Sequence, residues 1–79
     1  MVKAYILMNV SSGRAAEVTR RMREMDWVKQ CHIVSGPYDI ISLVEAEDFN
    51  SLGDFVVNTL QKMAGVERTV TCPIFNLNG

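Results

Sequence analysis

Few residues in this sequence have side chains that ordinarily carry catalysis. The chain has one histidine, His32, and two cysteines, Cys31 and Cys72. A nucleophile needs a base within hydrogen-bonding reach, but Cys31 and His32 are neighbours on a predicted strand, so their side chains point to opposite faces. Three such residues without short ligand spacing make a poor zinc site, and the sequence has no glycine-rich phosphate loop. We therefore predict no catalytic residues, no metal site and no cofactor.

Two of these residues have a structural interpretation beside the functional one. His32 is either an ordinary, partly buried or interface histidine, or a group that contacts a ligand and responds to pH, because its unperturbed pKa is near neutrality. We expect Cys72 to be a small core residue. Two cysteines without a signal peptide fit a reducing compartment, so the predicted location is the cytoplasm.

The remaining candidates lie at a turn and on a late strand. The dipeptide Gly36-Pro37 strongly favours a turn, and Tyr38 and Asp39 follow it directly. Thr69 and Thr71 are two residues apart, which places two hydroxyls on the same side of one strand.

These polar groups suit a small zwitterion. A free amino acid has an ammonium group, which carboxylates and carbonyls bind, and a carboxylate, which N–H and O–H donors bind. The structural alternative is that Asp39 caps the turn and that the threonines are ordinary strand residues. Residue types alone leave both interpretations open.

The apolar pattern shows which elements must position these residues. Alternating and β-branched runs predict strands, and apolar residues recurring every three to four positions predict helices. The predicted order is β-α-β-β-α-β, with strands at 2–10, 28–34, 39–46 and 66–75 and helices at 14–25 and 51–63. Ser11 and Ser12 are expected to cap the first helix, and Asp48 or Asn50 the second. Pro73 predicts that the last strand ends there or lies at a sheet edge.

This order predicts a ferredoxin-like α+β sandwich of one domain, residues 1–79. The sheet has four antiparallel strands with the first and third in the centre, and both helices cover one face. The other face receives Tyr5 and Leu7 from the first strand and one apolar side of residues 40–44. Since 48% of the residues are hydrophobic and the domain is small, we predict a face-to-face dimer as the minimum assembly.

Charge and hydropathy exclude other classes of partner. The formal charge of −1 and a pI near 5.7 disfavour direct binding of nucleic acid. A group of arginines between positions 14 and 23 is interleaved with acids, so it is either a solvated helix face or, less readily, an anion-binding patch. No apolar run approaches the roughly 20 residues that span a bilayer, so no membrane association is predicted.

Three stretches resemble a known family. Val34-Ser35-Gly36-Pro37-Tyr38-Asp39-Ile40-Ile41, then Asp48 with Leu52 and Phe55, then Gly65-Val66-Glu67-Arg68-Thr69-Val70-Thr71 resemble the C-terminal regulatory half of Lrp/AsnC-type transcriptional regulators, also called the RAM domain. The resemblance covers residues 1–75. It implies a fold that dimerises through its sheets (a dimeric α/β barrel), assembly into an octamer or similar ring, and amino-acid effectors bound between dimers. The implied effector contacts are Gly36, Tyr38, Asp39, Thr69 and Thr71, with Glu67 as a weaker candidate.

The same resemblance implies a regulatory role. Full-length members carry an N-terminal helix-turn-helix, whereas the first strand here begins at Val2, directly after Met1. The expectation is a stand-alone domain that senses an amino acid and modulates transcriptional regulation of amino-acid metabolism, alone or by joining a full-length regulator. One alternative is a small cofactor-free enzyme of the dimeric α/β-barrel type, a monooxygenase or isomerase with His32 as base in a pocket between sheet and helices. Another is a structural adaptor that binds a protein.

Overall fold

The computed structural model describes residues 1–77. In chain order the elements are β1 (Val2–Val10), α1 (Ala15–Arg23), β2 (Val28–Ile33), β3 (Ile40–Ala46), α2 (Phe49–Phe55), a π-helical turn (Val56–Leu60) that continues α2, and β4 (Val66–Pro73). The predicted order β-α-β-β-α-β is confirmed. The last strand was predicted to reach residue 75 but ends at Pro73, and residues 78–79 lie outside the described part.

The four strands form one antiparallel sheet in the order β2-β3-β1-β4. The first and third strands are therefore central, as predicted. β4 is an edge strand and ends at Pro73, which fits a residue that has no backbone N–H to donate. In the β1–β4 pair the register shifts between Asn9 and Val10.

The core lies between the sheet and the two helices. Alternate residues of β1, namely Ala4, Ile6 and Met8, are fully buried. They pack in one cluster with apolar residues of β3 and of both helical segments: Ile40, Val44, Val18, Met22, Leu52, Val56 and Leu60. Met8 and Met22 are core residues.

The opposite side of the sheet carries a second apolar surface, here called the open face: Tyr5, Leu7, Ile41, Leu43 and Val70. Tyr5 pairs with Leu43 on β3 and Leu7 pairs with Ile41, so these side chains share one face. Tyr5 is 45% exposed. The prediction that Cys72 is a core residue is wrong: it pairs with Tyr5 and is exposed on the open face, because Thr71 takes the helix-facing position before it.

The start of α1 also differs from expectation. Arg14 is the N-cap and makes no side-chain capping bond. The Ser11 hydroxyl instead donates to the Gly65 carbonyl at 3.2 Å, and the Ser11 N–H donates to the same oxygen at 2.8 Å. Ser11 therefore ties the end of β1 to the residue before β4, which a search for helix caps does not reveal.

The second helix has the predicted cap, but it begins at Phe49, two residues before the predicted start, and it also ends differently. The Asp48 carboxylate accepts from the Ser51 N–H at 2.7 Å, so the predicted cap is confirmed. After Phe55 the backbone widens into the π-helical turn, where the Gln61 N–H donates to the Val56 carbonyl at 2.8 Å. The predicted continuous helix to residue 63 is therefore wrong beyond Phe55. Within residues 1–77, no helix combines the length and apolar character needed to cross a membrane.

Candidate ligand-binding site

The turn between β2 and β3 is held in place by backbone and side-chain bonds. Gly36 has a φ of 145°, which a residue with a side chain rarely adopts. The Val34 N–H donates to the Asp39 carbonyl at 2.9 Å and closes the hairpin. The Asn9 side-chain amide donates to the Pro37 carbonyl, also at 2.9 Å, and so fixes the tip of the turn against the end of β1.

Asp39 forms hydrogen bonds that stabilise the fold. Its Oδ2 accepts a hydrogen bond from the Val10 N–H at 2.9 Å, where the pairing between β1 and β4 shifts register. Its own N–H donates to the Met8 carbonyl at 2.9 Å. The structural role that the sequence left open is thus present. A carboxylate offers about four lone-pair sites, so the bond to Val10 leaves room for a ligand's ammonium group.

Thr69 and Thr71 lie on the helix-facing side of β4. They pair with Met8 and Ile6, both of which point into the core, and this confirms that the two hydroxyls share one side. Thr69 is the better placed of the two. Its Oγ1 accepts a hydrogen bond from the Gln61 side-chain amide nitrogen at 3.0 Å.

A cavity of about 430 Å³ lies at the start of β4, and we call it the β4 cavity. Its lining consists of Gln61, Val66, Glu67, Arg68 and Thr69. The side chains of Gln61 and Thr69 are joined here by the hydrogen bond described above, whereas Arg68 pairs with Asn9, so its side chain points to the opposite face of the sheet from Thr69. Sequence reasoning named Thr69 and Glu67 but missed Gln61 and Arg68. Gln61 is exposed, and the π-helical turn that brings it beside Thr69 has no sequence pattern that we recognised.

The structure brings the turn and Thr69 to the same end of the sheet, on opposite sides of β1. Asp39 bonds to the Met8–Val10 stretch from the β3 side, and Thr69 pairs with Met8 from the β4 side. Two strand spacings separate their backbones, about 10 Å. The β4 cavity is lined by Thr69 but by neither Thr71 nor the turn residues Gly36, Tyr38 and Asp39. One chain therefore supplies two parts of a binding site that do not enclose a single ligand between them.

The other chemically interesting residues lie elsewhere. His32 is exposed and pairs with Ile41, so it belongs to the open face and not to the space between sheet and helices that the enzyme alternative requires. Cys31 is buried, which raises the pKa of its thiol, although the Thr19 hydroxyl and the Arg23 guanidinium lower it in part. Within residues 1–77, no three His, Cys, Asp or Glu side chains are grouped closely enough to hold a metal ion.

Three arginines in and just before α1 are engaged with neighbouring groups. Arg14 and Arg21 both form ion pairs with Glu17, at 3.1 and 3.2 Å. Arg23 donates two hydrogen bonds to the Cys31 carbonyl, at 2.7 and 3.0 Å. These contacts favour the interpretation of this group as a solvated helix face.

Comparison with solved structures places this geometry among known domains. The chain is similar to a protein described as FFRP-DM1, with a TM-score of 0.92 and 33% identity over 95% of this chain and all of that one. It also shares its fold with a transcriptional regulator of Neisseria meningitidis solved as an L-Met complex, with a TM-score of 0.87 and 21% identity over 99% of this chain and 52% of the other.

Sequence comparison identifies the family. The chain is 32% identical over 57 residues to the HTH-type transcriptional regulator LrpA of Pyrococcus abyssi, covering 72% of this chain and 39% of LrpA. It is 37% identical over 61 residues to a homocitrate synthase of Saccharolobus islandicus, covering 77% of this chain and 13% of the enzyme. The chain thus spans about two fifths of the regulator's length and a small part of the enzyme's. The family description "Lrp/AsnC ligand binding domain" matches residues 3–77, and the chain belongs to this family.

Proposed function

We propose that this chain is an amino-acid-sensing regulatory domain whose effector is a free amino acid. The observation that carries the proposal is the family match over residues 3–77, together with carboxylate and hydroxyl groups at one end of the sheet. The regulator of Neisseria meningitidis with the same fold is described as a complex with L-Met, which supports an amino acid as the ligand class.

In this proposal the ligand is bound by two chains. Asp39, beside Gly36 and Tyr38 in the turn, receives the ammonium group of the effector, and Thr69 with Thr71 receives its carboxylate. Because the turn and the β4 cavity of one chain do not face each other across a single space, the Asp39 of one chain and the Thr69 of another contact the same ligand. The effector then lies between subunits, and its binding alters how they associate.

The assembly that creates this shared site begins with pairing of open faces. Five apolar side chains lie side by side on that face, in a chain whose own helices cover only the opposite side. Burial of apolar surface stabilises an assembly by about 25 cal/mol per Å², so the open face of a second copy can pack against this one favourably. Dimers of this kind then associate into a ring, an octamer in the simplest form, and the effector sites lie between dimers.

Thermal unfolding in the presence of each of the twenty standard amino acids at millimolar concentration tests the ligand class. A ligand at 100 times its Kd stabilises the native state by about 2.7 kcal/mol, a rise in Tm of roughly 10–20 °C for a domain of this size. We expect such a rise for one amino acid or a small related group. No rise with any of the twenty would contradict the proposal.

The protein that this domain regulates is one of two kinds, and a separate observation supports each. Similarity to LrpA, a transcriptional regulator, favours co-assembly with a full-length Lrp/AsnC-type protein. Similarity to part of homocitrate synthases favours a module that acts on a biosynthetic enzyme. Cross-linking a tagged chain in its own cells, followed by mass spectrometry, distinguishes them: a partner with a helix-turn-helix supports the first, and an enzyme of amino-acid synthesis supports the second.

A further inference from the structure

We propose that Gln61 is a positioning residue that turns the Thr69 hydroxyl into a hydrogen-bond donor for the carboxylate of the effector. The inference rests on the proposed function, because it assigns a role within the same site. It adds a residue outside the turn and the β4 threonines, and it gives a physical reason why the β4 cavity binds the carboxylate end of a zwitterion.

The π-helical turn places Gln61 at this position. Its backbone N–H donates to the Val56 carbonyl five residues earlier, at 2.8 Å, where an α-helix would pair it with Val57. A residue bonded in this way is rotated relative to its α-helical position. The side chain of Gln61 consequently lies beside β4, and its amide nitrogen is 3.0 Å from Thr69 Oγ1. π-Helical turns occur frequently at functional sites.

The direction of this hydrogen bond decides what Thr69 can do. A threonine hydroxyl has one hydrogen to donate and two lone pairs to accept with, whereas an amide nitrogen only donates. Gln61 therefore occupies a lone pair of Thr69 Oγ1 and leaves the hydroxyl hydrogen free. The free hydrogen is available to an acceptor in the β4 cavity, which Gln61 and Thr69 both line.

The remaining groups of the cavity indicate the acceptor. The second N–H of the Gln61 amide is a further donor at the same cavity. A carboxylate matches several donors at once, and hydrogen bonds to an ionised acceptor are about twice as strong as neutral ones. Glu67, also in the lining, repels a bare anion but tolerates a zwitterion. The cavity therefore fits the carboxylate of an amino acid better than an inorganic anion.

The test compares each amino acid that stabilises the wild-type chain with its primary amide, which lacks the carboxylate. Gln61→Glu replaces the donor by an acceptor. The Thr69 hydroxyl then donates its one hydrogen to the new carboxylate, and that hydrogen is no longer available to the ligand. We expect Gln61→Glu to weaken binding of the amino acid, measured by calorimetry, by about tenfold or more. Binding of the primary amide should change by less than about threefold, because its carbonyl loses only a weaker, neutral hydrogen bond and its carboxamide N–H can donate to the new carboxylate.

Two further variants separate this role from a structural one. Asn58→Asp introduces the same charge on the same π-helical turn, away from the β4 cavity, and should bind the amino acid as the wild type does. Gln61→Lys restores a donor and should retain the preference for the amino acid over its amide. Because Gln61 is exposed, we expect all three variants to keep the wild-type circular dichroism spectrum.

The outcomes of the two proposals are distinguishable. If the wild-type chain binds an amino acid and Gln61→Glu binds it as tightly as Asn58→Asp does, the role of Gln61 is refuted while the proposed function stands. The same conclusion follows if Gln61→Glu weakens the amino acid and its amide equally. If the wild-type chain binds none of the twenty amino acids, the proposed function fails, and the role of Gln61 fails with it.

Discussion

At the scale of single residues, Asp39 combines a structural bond with a proposed binding role. Its Oδ2 accepts from the Val10 N–H at 2.9 Å, and its charge is the proposed partner of an effector's ammonium group. The sequence suggested both interpretations and could not decide between them. A backbone donor 29 positions away becomes visible only when the strands are paired.

The variant Asp39→Asn separates the structural role of Asp39 from its proposed role in binding. Asp39→Asn retains an oxygen that can accept from Val10 but removes the charge, so we expect a Tm near that of the wild type and an amino-acid affinity about tenfold lower. Asp39→Ala removes the acceptor as well and should destabilise the fold by about 1–3 kcal/mol. Denaturant unfolding and calorimetry of both variants check this. Equal loss of stability in both would indicate that the charge matters to the fold.

The two thiols should differ in reactivity. Cys31 is buried, and burial raises the pKa of its thiol, so little of the reactive thiolate is present near pH 8. In Cys72→Ser, where Cys31 is the remaining thiol, we expect slow reaction with a disulfide reagent under native conditions and rapid reaction in denaturant. Absorbance of the released thiolate measures both rates. Rapid native labelling would show that α1 and β2 open readily.

At the scale of elements, the sequence predicted where strands and helices occur better than how they end. The order of the elements was sufficient to predict the sheet order, and the Asp48 cap was identified correctly, although α2 begins at Phe49 and not at residue 51. The π-helical turn was missed, because its apolar residues Val56 and Leu60 are spaced as in an α-helix. The capping role assigned to Ser11 was wrong, because its hydroxyl bonds to Gly65, 54 positions away. Local patterns do not encode such distant partners.

The cap of α2 gives a pH dependence with a definite sign. The Ser51 N–H bonded to Asp48 lowers the pKa of this carboxyl below its ordinary value near 3.8. The ionised form is therefore favoured by folding, so its contribution is present above that pH and is lost as the pH falls through the lowered pKa. Asp48→Asn, which still caps but does not titrate, should have a Tm lower by a few degrees or less at pH 7.

The difference between the wild type and Asp48→Asn should vanish as the pH is lowered below the pKa of Asp48 in the folded chain. Thermal melts between pH 7 and pH 2 at low salt measure it. Because Asp48 is exposed, salt should reduce the difference. A difference that persists at pH 2 would show that the two side chains cap the helix with different geometry.

At the scale of the whole molecule, the domain has two apolar sides and covers only one of them. The prediction that residues of β1 and β3 would share an uncovered face followed from their alternation, and the register of the sheet confirms it. The position of Cys72 on that face was not predicted. We expected Cys72 in the core, whereas Thr71 occupies the inward position beside it.

A charge on the open face should prevent pairing of two copies. Tyr5 is 45% exposed in the single chain, so Tyr5→Glu should leave the fold intact while placing a carboxylate where a second sheet would pack. Val57→Glu is a matched control, because Val57 is 53% exposed on the π-helical turn. Sedimentation at micromolar concentration should show assemblies for the wild type and Val57→Glu and single chains for Tyr5→Glu.

Labelling of Cys72 gives an independent measure of the same pairing. Because Cys72 lies on the open face beside Tyr5, its reaction with a thiol reagent should slow as the protein concentration rises. In Tyr5→Glu the rate should be high and independent of concentration. A wild-type rate that does not change with concentration, together with single chains in sedimentation, would contradict the dimer.

The pairing of β1 with β4 has a consequence for how this domain can be grafted onto other proteins. The Ile74 N–H donates to the Lys3 carbonyl at 2.9 Å, so the first and last strands meet at one end of the sheet. Asp39 and the start of β4 lie near Val10, at the other end, about 23 Å from Lys3 along β1. A neighbour fused at either terminus would leave the ligand end unobstructed, whether that neighbour reads DNA or performs catalysis.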